Sequence, residues 1–222
     1  MKNTFNIKGG KAEKLVPVIL IWLIVIVVWG AYRQFFRLPE WVEEIFFKPL
    51  IFVGPVIWYM ARFEKLTPPA LGLRTQNAQK ILLWGAGFGL FLVAENFGIW
   101  LLKGRGINLS LLTGNTILIS TIISLATAIS EEILYRGFLL ERMWQRLDRE
   151  HLANGITAVL FMLGHVGNGV LTLGYRGQEL ATYLLLILVV GFAQGFVYGR
   201  TRSVYASGIT HTLWNFSNSF FR

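Results

Sequence analysis

The 222-residue sequence contains no cysteine, which excludes disulfide bonds and every catalytic or metal site built on a thiolate. It is also poor in charge, because Asp, Glu, Lys and Arg together make up 15% of the chain, whereas a soluble domain has about a quarter. Hydrophobic residues reach 54% and the mean hydropathy is +0.54. These proportions predict an integral membrane protein rather than a soluble domain.

The net charge of +9 arises from 21 Lys and Arg against 12 Asp and Glu. In a membrane protein such an excess flanks the spanning helices and sets their orientation. The basic charge is therefore assigned to topology, and no nucleic-acid partner is expected.

Apolar runs of membrane-spanning length follow one another with short polar connections, which predicts one all-α, polytopic transmembrane helical bundle. We expect about seven spans, within a range of six to eight. The predicted spans are Leu15–Tyr32, Ile45–Ala61, Ile81–Leu102, Leu111–Ser130, Leu152–Leu173, Leu180–Tyr198 and Val204–Phe221. The second contains Lys48, Pro49 and Pro55, so a full span and a re-entrant segment are both open.

The chain divides into a basic cytoplasmic tail at residues 1–14, membrane helices at 15–110 and a motif-bearing membrane region at 111–222, the last two forming one integral domain.

With residue 1 in the cytoplasm and seven alternating spans, 14 Lys and Arg fall on the cytoplasmic side and 7 on the other. The positive-inside rule therefore predicts a cytoplasmic N-terminus. The compact chain with short loops predicts a prokaryotic plasma membrane.

Ionisable side chains inside spans cost roughly 2.5–3.5 kcal/mol at a helix centre, so each one is a candidate functional residue. Glu131, Glu132 and Arg136 stand where predicted span four ends. Glu132 can pair with Arg136 four residues on, which leaves Glu131 free to act as a general base. Ordinary interfacial charges at a helix end are the other interpretation.

Glu95 and Asn96 in span three fit a structural hydrogen bond or the polar lining of the same cavity.

Two further spans carry histidines, His165 one turn after Phe161 and His211 one turn before Asn215. His211 and Asn215 share a helix face and can donate two hydrogen bonds to one point, as an anionic tetrahedral intermediate requires. Hydrogen bonds that tie helices together are the alternative for both histidines. The helical rise allows Glu131 and the two histidines to lie at similar depths from the cytoplasmic side. We therefore expect a site that opens toward the cytoplasm.

Three segments in order, Glu131-Glu132…Arg136, Phe161…His165 and His211…Asn215, resemble the Glu-Glu-x-x-x-Arg, Phe-x-x-x-His and His-x-x-x-Asn motifs of the CAAX protease and bacteriocin-processing enzyme (Abi) family. That family includes the type II CAAX prenyl endopeptidases, and the resemblance covers residues 111–222. It implies an intramembrane endopeptidase that acts on a membrane-associated peptide or protein, of which a prenylated CAAX tail is one kind, in contact with membrane lipid.

The resemblance also implies a role for each catalytic residue. Glu131 would activate a water molecule as general base, and His165 would orient that water. His211 and Asn215 would form the oxyanion hole. No cofactor is expected in this mechanism.

Three supporting residues complete the implied site. Glu132 would pair with Arg136 and keep the helix end in register, and Phe161 would pack beside His165. These residues would act on the catalytic groups rather than on the substrate.

Two alternatives stay open at this point. A zinc-dependent version of the same protease would bind the ion through one of the two glutamates, His165 and His211, and the second glutamate would be the base. Outside enzymes, buried Glu, His and Asn also line the pathways of transporters, and a membrane scaffold could keep the same helices without chemistry.

Overall fold

The computed structural model describes residues 15–102, 104, 106, 108 and 111–220. The predicted basic tail at 1–14, and the basic residues Lys103, Arg105 and Arg222 of the charge count, lie outside the described residues. Within the described part the chain is helical and has no strand. Its main helices are α1 (Leu15–Phe35), α2 (Glu40–Glu64), α3 (Ala78–Leu102), α4 (Gly114–Leu147), α5 (Glu150–Gly164), α6 (Gly177–Thr201) and α7 (Val204–Asn218). The all-α prediction is confirmed.

Six helical segments of the described chain are long and apolar enough to cross a membrane, and their outer faces carry exposed apolar side chains such as Leu20, Leu83 and Leu185. The seventh helix, α7, has 15 residues and is therefore about 22 Å long, somewhat less than a bilayer core requires. The prediction of a helical bundle with about seven spans is confirmed.

The second predicted span is a full helix rather than a re-entrant segment. α2 runs unbroken over 25 residues, with π-helical turns at Glu43–Phe47 and Met60–Glu64. Pro49 stands in the first turn after the first π-helical segment, and a local change of helix type can re-satisfy the backbone groups that a proline frees. Neither Pro49 nor Pro55 ends the helix.

The fourth span is much longer than the sequence predicts. The expected end was Ser130, whereas α4 continues to Leu147 and has 34 residues, with a π-helical stretch at Ile133–Leu140. Glu131 consequently lies near the middle of this helix and not at its end. The charged side chains after Ser130 are buried, so they do not mark the point where the chain leaves the apolar interior.

The short helix α7 packs along α3 and α4 in the interior of the bundle. Gly85 and Gly89, one turn apart on α3, face α7, and a Cβ atom at Gly85 would lie 2.7 Å from the carbonyl oxygen of Ala206. Small residues let membrane helices approach closely, and here they let α7 reach the centre.

The N-terminal helices α1 and α2 cover another face of α4. Val25 of α1, Val56 of α2 and Phe138 of α4 are fully buried members of one apolar cluster. The helices that carry no sequence motif therefore build one wall around the motif-bearing helix.

Candidate active site

A cavity of about 1070 Å³ lies between the helices, and each of the seven helical segments lines part of it. The four residues predicted from the sequence to be catalytic, Glu131, His165, His211 and Asn215, all contribute to its wall. Glu131 and His211 are buried, whereas His165 and Asn215 are half-buried. Side chains from α4, α7 and the end of α5 thus meet at one polar centre.

The carboxylate of Glu131 has one free oxygen that faces both histidines. Its Oε2 atom is buried and has no hydrogen-bond partner among the described residues. It lies 3.9 Å from Nε2 of His165 and 3.8 Å from Nε2 of His211. These distances exceed direct hydrogen bonds, and they leave a place for one small group, such as a water molecule, that contacts all three atoms.

The second ring nitrogen of each histidine determines what the first can do. Nδ1 of His165 lies 2.8 Å from the carbonyl oxygen of Phe161, and Nδ1 of His211 lies 2.9 Å from Oε1 of Glu132. A carbonyl or carboxylate oxygen can only accept, so both Nδ1 atoms donate. In the neutral rings the lone pairs are therefore on the Nε2 atoms that face Glu131.

Glu132 and Arg136 form the predicted pair in the protein interior, at 0% and 1% exposure. Nη1 of Arg136 donates to Oε1 of Glu132 at 2.8 Å, and Nη2 donates to the carbonyl oxygen of Gly191 on α6 at 2.8 Å. The same Oε1 accepts from His211. Glu132 therefore orients His211 and does not reach the free oxygen of Glu131.

The ring of Phe161 packs between the polar groups of the site. Its centroid is 4.4 Å from that of His165, and the guanidinium carbon of Arg136 lies 4.7 Å from its centre. Tyr135, whose hydroxyl accepts a hydrogen bond from Trp22 at 3.3 Å, meets the same ring edge-on. The predicted packing of Phe161 beside His165 is present.

Lys48 is a site residue that no sequence motif identifies. The sequence shows it only as a charge that interrupts the second predicted span. Its ammonium group is in fact buried, 2.7 Å from Oε1 of Glu131 and 2.8 Å from Oε2 of Glu44. The spacing of Glu44 and Lys48, four residues apart in an apolar run, was an available signal of an intramembrane ion pair.

Asn96 has both roles that the sequence left open for it. Its amide nitrogen donates to Oγ of Ser217 and Oδ1 of Asn218, each at 2.9 Å, and so ties α3 to α7. It also lines the cavity, whereas the half-buried Glu95 is not part of the cavity wall.

The cavity opens at the end of the bundle where α1 finishes and α2 begins. Its outer wall there includes the exposed residues Gln34, Glu40 and Glu179. α1 starts at the opposite end, at Leu15. The cavity mouth and the start of α1 therefore lie at opposite ends of the bundle, and which of these ends faces the cytoplasm stays a prediction. Helix lengths alone do not say at which end of a bundle a cavity opens.

Residues 113–217 match the family model of the Rce1-like type II CAAX prenyl endopeptidases. The matched range contains all seven sequence-predicted site residues and begins after α3, so Glu44 and Lys48 lie outside it. Neither the curated proteins nor the solved structures contain a match to the chain. The match agrees with the resemblance that the three motifs carry.

Proposed function

Because residues 113–217 belong to the Rce1-like type II CAAX prenyl endopeptidase family, we propose that this protein is an intramembrane endopeptidase. It hydrolyses a peptide bond of a membrane-associated peptide or protein, in contact with membrane lipid. The observation that carries the proposal is the free Oε2 atom of Glu131, which faces Nε2 of both His165 and His211 across less than 4 Å.

In the proposed reaction Glu131 is the general base. A water molecule between the three atoms gives one proton to Oε2 of Glu131, and His165 accepts a hydrogen bond from the other hydrogen and orients the water. The hydroxide attacks the carbonyl carbon of the scissile bond, and the carbonyl π electrons move to its oxygen. When the carbon–nitrogen bond breaks, Glu131 returns its proton to the leaving amine.

The oxyanion needs donors, and Asn215 and His211 supply them. The amide of Asn215, one helical turn beyond His211 on the cavity wall, donates directly. Nε2 of His211 donates only when its ring is protonated, because Nδ1 already carries a hydrogen toward Glu132.

A zinc-dependent version fits these residues less well. Glu131 and the Nε2 atoms of His165 and His211 are suitable ligand types. However, the Lys48 ammonium occupies the other oxygen of Glu131, where it would repel a cation. Glu132, which would have to be the base, binds Arg136 and His211 through Oε1. We therefore propose a reaction without a metal and derive no step through zinc.

The cavity wall suits a substrate with apolar parts. The indole rings of Trp29, Trp100 and Trp214 belong to it, and they offer apolar surface to a lipid-modified or membrane-embedded peptide. A prenylated CAAX-type peptide is one member of this class, and an unprenylated membrane peptide is the other.

We place the protein in a prokaryotic plasma membrane with its N-terminus in the cytoplasm. Among the Lys and Arg residues that the structure describes, Lys48, Arg136 and Arg142 are buried and are left out of the count. The others divide into eight at the end of the bundle where α1 starts and three at the end with the cavity mouth. The positive-inside rule then puts the mouth on the side opposite the cytoplasm.

The test is cleavage of a panel of quenched peptides, prenylated and unprenylated, by purified protein in liposomes. Wild type is compared with Glu131→Gln and with Glu179→Gln, a control at the exposed mouth of the same cavity. We expect cleavage by wild type and by the control, and a loss of at least about 100-fold in Glu131→Gln. Full activity of Glu131→Gln would contradict the general-base assignment, and no cleavage of any peptide by wild type would contradict the proposed function.

A further inference from the structure

Lys48 lies in the interior of the bundle at 5% exposure. It belongs to α2, outside the residues that match the protease family. An ammonium group at this depth is strongly unfavourable unless close negative charges compensate its lost hydration. Its surroundings therefore indicate what the residue does.

Two carboxylates supply the compensation, and one of them is the proposed general base. Nζ of Lys48 contacts Oε1 of Glu131 at 2.7 Å and Oε2 of Glu44 at 2.8 Å. The two oxygens of Glu131 are consequently unequal, since Oε1 is bound to Lys48 and Oε2 is free and faces the histidines. An unpaired carboxylate at this depth would favour the protonated form, which cannot accept a proton from water.

The lysine is itself held in place from several sides. Glu44 is fixed by the hydroxyl of Thr127 on α4, which donates to Oε2 at 2.6 Å. The ammonium also lies 5.4 Å from the ring centre of Trp29 and 5.6 Å from that of Phe52, within the range of cation–π attraction. These contacts restrict Nζ to one position relative to Glu131.

We propose that Lys48, held by Glu44, is a positioning residue for Glu131. It binds Oε1 and turns Oε2 toward the water site between the histidines. α2 thereby supplies a part of the site that the family-matched region lacks. This inference rests on the proposed endopeptidase function.

The first experiment separates turnover from substrate binding. Lys48→Met is compared with Lys48→Arg, which keeps the charge, and with Lys80→Met, an exposed lysine at the start of α3. In liposomes with the peptide that wild type cleaves best, we expect kcat of Lys48→Met to fall about 100-fold, the lower part of the range for general-base catalysis. KM of Lys48→Met should stay within about threefold of the wild-type value. We expect kcat of Lys48→Arg to be at least about tenfold higher than that of Lys48→Met. Lys80→Met should have the wild-type kcat.

A second variant addresses folding. Lys48→Met leaves Glu44 and Glu131 buried without their cation, whereas Lys48→Met combined with Glu44→Gln removes one charge of each sign. Size-exclusion profile and thermal midpoint report whether each variant folds. The double variant should fold and show the same loss of kcat as Lys48→Met.

Three results would overturn the inference. One is wild-type kcat in either methionine variant. Another is an equal loss in Lys48→Arg and Lys48→Met together with a lowered thermal midpoint, and the third is failure of both methionine variants to fold. Either of the last two results would mean that Lys48 only stabilises the packing of α2 on α4 and does not position Glu131. The proposed function is judged separately, because it fails when wild type cleaves nothing and survives when Glu131→Gln is inactive and Lys48→Met is fully active.

Discussion

The two histidines of the site present the same face to Glu131 for different reasons. His165 gives its Nδ1 hydrogen to a backbone carbonyl of its own helix, and His211 gives its Nδ1 hydrogen to the buried carboxylate of Glu132. The backbone carbonyl carries no net charge, whereas the carboxylate is part of a buried ion pair with Arg136. His165 is therefore suited to orienting water, and His211 is held in a fixed orientation beside Glu131 by a buried carboxylate.

A prediction at this scale concerns Asn215. In Asn215→Ala we expect kcat to fall by about 100- to 1000-fold with a small change in KM, because an oxyanion-hole donor acts mainly in the transition state. Steady-state cleavage of the preferred peptide measures both constants. Asn168→Ala is the control, since Asn168 lines the same cavity but bonds to Tyr183. A loss of similar size in both variants would indicate a general effect on the cavity.

At the scale of helices, π-helical turns adjoin the charged groups of the site. Glu44 lies within the turn Glu43–Phe47, and the stretch Ile133–Leu140 starts directly after Glu132 and contains Arg136. A third turn, Asn168–Thr172, follows His165. Such turns are rare and occur frequently at functional sites. Here two of them accompany buried charges and the third follows a histidine of the site.

A prediction at this scale concerns the contact between α3 and α7. Gly85→Leu should destabilise the fold by at least about 1–3 kcal/mol, because the side chain would meet the backbone of α7. The thermal midpoint in detergent measures the effect. Gly87 is two residues away, and a Cβ atom there meets nothing within 4 Å, so Gly87→Leu should keep the wild-type midpoint. Equal midpoints for the two variants would contradict the close approach of α7.

At the scale of the whole molecule, one end of the bundle is open at the cavity mouth, and ion pairs and hydrogen bonds join the helices toward the other end. The end with the cavity mouth gives access to the polar centre. Toward the other end, Arg142 pairs with Glu64 at 2.6 Å, and Glu141 accepts hydrogen bonds from Tyr198 and Arg202. These contacts join α2, α4 and α6 between the site and the end of the bundle opposite the cavity mouth.

The orientation can be tested because the natural chain has no cysteine. Gln34→Cys lies at the cavity mouth and Gln145→Cys toward the opposite end of the bundle, both at exposed positions. A membrane-impermeant maleimide added to intact cells should label Gln34→Cys alone, and both should react in permeabilised cells. Labelling of Gln145→Cys alone in intact cells would place the mouth in the cytoplasm and the N-terminus outside.

Metal dependence is also a property of the whole enzyme. After extended dialysis against a chelator in liposomes, we expect the purified protein to keep its rate of peptide cleavage, because Lys48 already supplies the positive charge beside Glu131. Loss of activity on chelation, with recovery on addition of Zn²⁺, would favour the zinc-dependent version instead.

The sequence by itself determined the features that depend on composition and on residues close in the chain. Apolar runs predicted the helical bundle, and spacings of four residues identified the Glu132–Arg136 pair and grouped His165 with Phe161. The motifs selected Glu131, His165, His211 and Asn215, which the structure brings to one cavity. Their individual catalytic roles stay predictions.

Tertiary structure alone decided which distant groups meet. Lys48 and Glu131 lie far apart in the sequence, and their 2.7 Å contact depends on how α2 packs on α4. The end at which the cavity opens depends on how all seven helices diverge, which no local pattern encodes. The length of α4 also depends on tertiary packing. In the sequence, a charged residue that is buried in an ion pair looks the same as one exposed at a helix end, because the groups that neutralise it are distant in the chain.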